Sequence, residues 1–323
     1  MIYGVKTNDY EWLRSSFYSI KRIEQSCKFS GAAFSLFVPE DFVLYARSLS
    51  EKDKASFFAE NCFLLRGNIT DGVFDLLEAN GALHTPKRAA KQLADDKYKA
   101  FCFFDKLGVK QPKTLQAETC GIYCGGGTDC GRSCGGRGSA TSQKLDITSL
   151  SRQFELIKQQ LGLPFIAKPR FGSMGRNIAL IKNEEQLRGA LQTDTPLLFQ
   201  EFIETKTAFQ NRSDLRFFVI GGKVAACVLR IAPDGESIAS NAHQGGLMKA
   251  YNAPKELEKL AISVIARAGL DYGTADFLLP SANAEKPLLC EINACPGFEA
   301  LETQLNISIA EQIIDYVLNL KHF

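Results

Sequence analysis

No stretch of this chain approaches the length and apolarity of a membrane span. Its first residues, MIYGVKTNDYEWLRSS, lack the apolar centre of a signal peptide. A soluble, cytoplasmic protein is the expectation. An excess of one charge is missing too: 38 basic residues stand against 36 acidic ones, a net of +2. Charge therefore argues for no nucleic-acid partner. The phosphate-loop pattern GxxxxGK[ST] is absent, and so is the zinc-protease pattern HExxH. What remains is 323 residues with 45% hydrophobic content, enough for two or three domains with real cores. Ten cysteines in so long a chain do not make a disulfide framework. Cys27, Cys62, Cys102, Cys227, Cys290 and Cys295 stand in apolar or strand-like contexts and read as packed thiols.

The most informative residues lie near the C-terminus. GTADFLL carries Asp276, and LLCEINACPGFE carries Glu291 and Asn293. Both read as short apolar strands that deliver oxygen ligands from their polar positions. Carboxylate and amide oxygens are hard donors, and three of them from paired strands suit magnesium that also binds phosphates. Cys290 and Cys295 flank these ligands but read as packing residues, because thiolates are poor magnesium ligands. Any one of the acids alone would more simply be a solvated strand end.

A second group lies in LPFIAKPRFGSMGRNIALI. An apolar strand carries Lys168, the loop Gly172-Ser173-Met174-Gly175-Arg176 follows, and another apolar strand closes it. The glycines free backbone N–H groups to wrap phosphate oxygens, and the lysine supplies a point charge. A third piece, LLFQEFIETK, ends an apolar strand. Its backbone can hydrogen-bond an adenine edge, while Phe202 and Ile203 give apolar contact. Asp214 and Arg216 open the strand RFFVIGG. Gly221-Gly222 is a hairpin turn, and Lys223 to Arg230 form its partner strand. The segment SNAHQGG then offers Ser240, Asn241 and His243 beside glycines. Taken alone, His243 reads as an ordinary surface histidine.

In this order the pieces resemble an ATP-grasp ligase of the RimK type, over roughly residues 85 to 323. E-I-N-A-C-P-G and S-N-A-H-Q-G-G are the most specific motifs. The resemblance implies an α/β (α+β) ATP-grasp fold in three parts. These are an N-terminal pre-ATP-grasp domain over 1–86, a small central lid domain over 87–199, and a C-terminal mixed-sheet metal and catalytic domain over 200–323. It also implies roles. Lys97 and Lys168 would be the two nucleotide lysines, and Glu201 and Phe202 would hold adenine. Asp214 would lie near the ribose, and Ser240 and Asn241 would face the phosphates. Asp276, Glu291 and Asn293 would bind two magnesium ions, with manganese as a substitute, and Glu291 would bridge them. Arg216 and Arg230 would sit where an acyl phosphate forms. Many relatives have arginine before the Ser-Asn pair, where this chain has Ala239.

Helices are expected over Thr70 to Gly81, Lys87 to Gly108, Leu145 to Leu161, Pro254 to Ala268 and Ile307 to Leu320, with strands in GAAFSLFVP and CFLLRG. Residues 117 to 143 fall outside the resemblance. There Cys120-Gly121-Ile122-Tyr123-Cys124-Gly125-Gly126 recurs as Cys130-Gly131-Arg132-Ser133-Cys134-Gly135-Gly136. The C-x3-C spacing fits zinc, while the flanking glycines favour a solvent-exposed loop. A redox switch or a tether for a peptide substrate are further readings.

The chemistry such a site suits is activation of a carboxylate by ATP, then amide formation with an amine. The expected substrates are an amino acid, with glutamate favoured, and an acceptor that is a protein tail, a peptide or a small molecule. A peptide-crosslinking ligase and a non-catalytic nucleotide-binding module are the alternatives. Relatives of this type often form dimers or tetramers, so a homo-oligomer is also open.

Overall fold

The computed structural model describes residues 1–6, 10–117, 147–172, 175–206, 211–235, 237, 246–281 and 286–320, with only the backbone of 10–17 and 147–149. Its first part alternates strand and helix: β1 (Ile2–Lys6), α1 (Tyr10–Phe29), β2 (Phe34–Phe37), α2 (Pro39–Ser48), α3 (Glu51–Ala59), β3 (Cys62–Arg66), α4 (Asp71–Ala79) and β4 (Leu83–Thr85). The strands pair in parallel in the order β2-β1-β3-β4. Every residue of β3 is buried, as a parallel strand covered on both faces should be. Phe42, Phe58, Phe63, Val73 and Leu77 fill the space between this sheet and α2 to α4. Ser50 caps α3 by accepting from the Asp53 N–H at 3.2 Å.

Two helices follow, α5 (Arg88–Asp95) and α6 (Lys97–Lys106). The apolar spacing predicts one helix over Lys87 to Gly108, but the chain breaks at Asp96. Its backbone is extended, with φ −103° and ψ 97°, and its carboxylate caps α6 by accepting from the N–H groups of Tyr98 and Lys99, each at 3.1 Å. An acceptor for otherwise orphaned N–H groups makes a new helix start preferable to a continuous one.

A second sheet is built from β5 (Thr114–Gln116), β6 (Phe165–Pro169), β7 (Ala179–Ile181) and β8 (Leu197–Glu201), with α7 (Ile147–Leu161) and α8 (Glu184–Ala190). Its order is β5-β8-β6-β7, antiparallel throughout. Leu150, Phe154 and Ile157 of α7 and Leu187 of α8 pack on Phe165, Ala167 and Phe199.

The third sheet comprises β9 (Ser213–Ile220), β10 (Lys223–Ile231), β11 (Leu247–Ala250), β12 (Tyr272–Leu278) and β13 (Leu288–Asn293). It is joined by α9 (Lys255–Arg267), α10 (Glu299–Leu305) and α11 (Ile309–Asn319). The order is β11-β10-β9-β12-β13, and all the described pairings are antiparallel. One face of this sheet is covered by α5, α6 and α9 through Leu93, Phe104, Ala261 and Val264. Ile309, Ile313 and Ile314 of α11 cover the other face and join it to Ile2 and Leu64 of the first sheet and Ile23 of α1. That shared core seats the first sheet against the strands that carry Asp276 and Glu291. Among the described residues no helix is long and apolar enough to cross a membrane.

Candidate active site

Strand register assembles the charged centre. Arg216 on β9 lies directly opposite Asp276 on β12, and Asp214, two residues earlier on the same face, lies opposite Arg230 on β10. Asp276 in turn faces Glu291 on β13, and Thr274 faces Asn293. The three proposed metal ligands therefore stand side by side on one face of neighbouring strands. A β-bulge follows: Asp276 pairs with Glu291 but Phe277 pairs with Leu289, leaving Cys290 as the extra residue. The bulge lets Leu289 turn into the core beside Phe277 while Cys290 and Glu291 both line the cavity.

The arginines are engaged by these acids. Arg216 donates from Nε to Asp276 Oδ1 at 2.9 Å and from Nη2 to Oδ2 at 2.6 Å. Arg230 donates from Nη2 to Asp276 Oδ2 at 2.8 Å and from Nε to Asp214 Oδ1 at 2.5 Å. Asp276 is 1% exposed. Burial pushes its carboxyl pKa up, but Arg216 and Arg230 more than offset this and hold it below the usual carboxylate range. Burial and the two acids act oppositely on Arg230, and the acids keep it firmly cationic.

Above this face lies a cavity of about 380 Å³, a volume typical of small-molecule sites. Lys97, Lys168, Gly172, Gly175, Glu201, Phe202, Asp214, Arg230, Asp276 and Glu291 all line it. Lys168 is 5% exposed, and its Nζ donates to Gln200 Oε1 at 2.8 Å; Gln200 Nε2 in turn donates to Thr114 Oγ1 at 2.9 Å. A neutral amide positions this ammonium without cancelling its charge. Lys97 reaches the glycine loop itself, donating from Nζ to the Gly172 carbonyl at 2.5 Å. Burial lowers the Lys97 pKa, and the nearby Glu291 opposes the shift. Gly172 and Gly175 have φ of 108° and 68°, values that a side chain disfavours.

Two supports were not legible in the motifs. Asp96, besides capping α6, takes a two-pronged pair from Arg170, with Nε to Oδ1 at 2.8 Å and Nη2 to Oδ2 at 2.6 Å. It thereby ties the root of the glycine loop to the helix that carries Lys97. Glu201 Oε2 accepts from the Lys113 N–H at 3.2 Å, and Arg212 lies 5.2 Å over the Phe202 ring. The DDKYKA segment holds the only sequence hint of the first, an Asp two residues before the Tyr98 N–H that it caps.

The donors fit a hard cation. Asp276 Oδ1 accepts a single hydrogen bond and keeps a lone pair. Glu291 makes no ion pair among the described residues, and Asn293 contributes an amide. Among the described residues no cluster of three His, Cys, Asp or Glu is arranged as a metal site, in keeping with a donor set of two carboxylates and an amide. Ser173, Ser240, Asn241, His243 and Ala239 lie outside the described residues, as do Cys120, Cys124, Cys130 and Cys134. Zinc finds no support and is not carried further. The remaining cysteines are free; Cys27 and Cys62 are buried and the other four half-buried. Burial pushes the Cys290 thiol up to about 11, so beside Glu291 it stays protonated.

A family model described as a RimK-like ATP-grasp domain matches residues 141–317. The chain belongs to the RimK-like ATP-grasp family. It is 35% identical over 167 residues to a protein of Parasynechococcus marenigrum (strain WH8102) named "Probable alpha-L-glutamate ligase", a match covering 50% of this chain and 34% of that one. A protein of the same name from Methanococcoides burtonii is 32% identical over 167 residues, covering 50% of this chain and 53% of that one. The matched region thus spans only about a third to a half of those relatives. Solved ATP-grasp structures share the whole fold. The ligase PsnB complexed with minimal precursor, Mg and ADP gives a TM-score of 0.66 at 14% identity, covering 99% of this chain and 97% of that one. The D-alanine–D-alanine ligase of Bacillus anthracis complexed with ATP gives 0.65 at 13% identity, covering 100% and 99%. A RimK domain protein from Sphaerobacter thermophilus gives 0.64 at 17%, covering 98% and 100%. At such identities the likeness is one of fold.

Proposed function

We propose that this RimK-like ATP-grasp chain is an ADP-forming ligase that joins a carboxylate to the amine of an amino acid. One observation supports it above the others. Two buried or half-buried lysines, a glycine loop and a row of oxygen donors face a single cavity of about 380 Å³. That set suits a nucleoside triphosphate and its metal, and among the described residues it contains no side chain poised as a covalent nucleophile. The names of the relatives favour glutamate as the amino acid. A protein tail, a peptide and a small molecule remain the classes of acceptor, and the cytoplasm, where ATP is supplied, is the compartment.

In this reading Lys168 and Lys97 hold the phosphates with the loop at Gly172 and Gly175, and Glu201 to Ile203 meet the adenine. Asp214 lies toward the ribose. Asp276, Glu291 and Asn293 would hold magnesium, which when bound offsets the charge of the phosphates during transfer. A carboxylate oxygen attacks the γ-phosphorus, ADP leaves, and an acyl phosphate results. The amine nitrogen then attacks the carbonyl carbon, loses a proton and expels phosphate. Arg216 and Arg230 stabilise the oxyanion of that second step; a lost donor of this kind costs about a hundredfold in rate. The three sheets suggest a division of labour, with 1–86 shaping the substrate side, 87–199 covering the nucleotide and 200–323 carrying the chemistry.

ADP release tests the proposal. The purified chain with magnesium and ATP is screened against each amino acid, alone and with glutamate-ended peptides. ADP formation that needs both an amino acid and an acceptor, and disappears in Asp276→Ala, is expected. ATP hydrolysis indifferent to both, or unchanged in that variant, would overturn it.

A further inference from the structure

Two of the most deeply buried cations in the chain lie outside the nucleotide cavity. Lys6 ends β1 and Arg66 ends β3, and the parallel register sets them directly beside each other. They are 6% and 4% exposed. Neighbouring like charges repel, and burying a charge without a partner is costly. Among the described residues no carboxylate forms an ion pair with either. Arg66 donates from Nη2 to the Pro296 carbonyl at 2.9 Å and lies 5.6 Å over the Phe298 ring, but its Nη1 is buried with no acceptor. The Tyr272 hydroxyl, buried beside that guanidinium, also has no partner in hydrogen-bond geometry, and Arg66 is the side chain it faces. Burial and the neighbouring Arg66 both lower the Lys6 pKa, so the chain keeps this pair at a cost.

The position explains such a cost. With the order β2-β1-β3-β4, the chain leaves β1 to one side for β2 and then crosses to the other side for β3. The crevice at the carboxyl ends of β1 and β3 is therefore the topological switch point, where open parallel sheets take ligands. Asn68, two residues past Arg66, lines the nucleotide cavity, and Pro296 follows Asn293 by three residues. An anion seated between Lys6 and Arg66 would stand at the border of the reaction centre, while neither residue lines the nucleotide cavity itself.

We propose that Lys6 and Arg66 form the seat for a substrate carboxylate that survives the reaction, namely the carboxylate of the incoming amino acid. This rests on the ligase reading above. Amide formation consumes the amine of that amino acid and one carboxylate of the acceptor. It leaves the amino acid's own carboxylate charged, in need of cations separate from those that hold the phosphates and the acyl group.

The test uses the full chain, thermal unfolding and steady-state kinetics. In Lys6→Met the ligand-free chain should melt at or above the wild-type temperature, because an unpaired buried charge is gone. The rise in melting temperature induced by L-glutamate, or by whichever amino acid the wild type accepts, should vanish, with Mg-ADP affinity unchanged. KM for the amino acid should rise about tenfold to a hundredfold with kcat little altered. Arg66→Lys, which keeps the charge, should give a smaller rise. A rise confined to the KM of the acceptor would overturn the amino acid as occupant and assign the seat to an acceptor carboxylate. A variant that melts lower than wild type and keeps both KM values would overturn the seat. Failure of the ligase reading is separately visible: the wild type would release no amino-acid-dependent ADP. A glutamate-induced melting shift lost in Lys6→Met would still report the seat.

Discussion

Arg216 and Asp276 face each other from adjacent antiparallel strands and close a two-pronged ion pair, at 2.9 Å and 2.6 Å. Arg230 adds a third donor to the same carboxylate from the next strand but one. This candidate metal ligand is thus also the counter-ion of two arginines, which keep it ionised although it is buried. Charge at the site and stability of the sheet are coupled through this one side chain.

Substitutions at Asp276 and Glu291 separate the two roles. Asp276→Ala strands Arg216 and buried Arg230, so a stability loss of about 3 to 5 kcal/mol is expected together with the loss of ADP release. Glu291 makes no ion pair among the described residues. Glu291→Gln should therefore abolish ADP release while costing less than about 1 kcal/mol by urea denaturation.

Lys168 depends on Gln200 for its position and on no carboxylate for its charge. Lys168→Met should weaken Mg-ADP binding by about tenfold to a hundredfold, measured by calorimetry. Gln200→Leu leaves the lysine unheld while the Thr114 hydroxyl keeps its bond to the Pro112 carbonyl, and should weaken it by a smaller factor.

The hairpin between β9 and β10 offers a test of packing against backbone strain. Gly221 and Gly222 have φ of 54° and 74°, so alanine is disfavoured at both. A Cβ at Gly222 meets open space, whereas one at Gly221 would stand 2.5 Å from Tyr316 Cδ2. Tyr316 is itself tied to Asp271 through its hydroxyl at 3.3 Å. Gly222→Ala should cost about 1 kcal/mol. Gly221→Ala should cost about 2 to 3 kcal/mol by the same denaturation.

His84 gives the pH dependence a sign. Its ring is 4% exposed, Nδ1 lies 2.9 Å from the Ala82 carbonyl, and Nε2 is buried with no partner. Burial lowers its pKa below the ordinary 6.5, the Ala82 carbonyl opposing in part. The unfolded chain thus binds a proton in a pH range where the folded chain does not. The stability His84 contributes is present above about pH 6.5 and is lost as pH falls through the folded value. Denaturation at pH 5.5 and 7.5 should show a smaller difference between the two conditions in His84→Gln than in wild type.

Much of the candidate site is legible along the chain because its parts are local. A lysine on an apolar strand, glycines in a loop, and acids alternating on strands each depend on only a few neighbouring residues, so Lys168, Gly172, Asp276 and Glu291 were found as motifs. The break at Asp96 was not legible, because apolar spacing continues across it and only a capping carboxylate, itself held by Arg170 from the distant glycine loop, stops the helix. The arginine pairings were hidden for a similar reason. Asp214 and Arg230 lie 16 residues apart and Arg216 and Asp276 lie 60 apart, and only strand register decides which charge stands opposite which.

Local periodicity and residue chemistry carry the nucleotide-type motifs and the family they belong to, and both are legible along the chain. Folding alone brings two arginines to Asp276, places Cys290 at a bulge so that Leu289 reaches the core, and sets Lys6 beside Arg66 at a strand switch with no ion pair among the described residues. Burial and electrostatic partnership belong to pairs of residues brought together by folding. No single segment of the chain carries them.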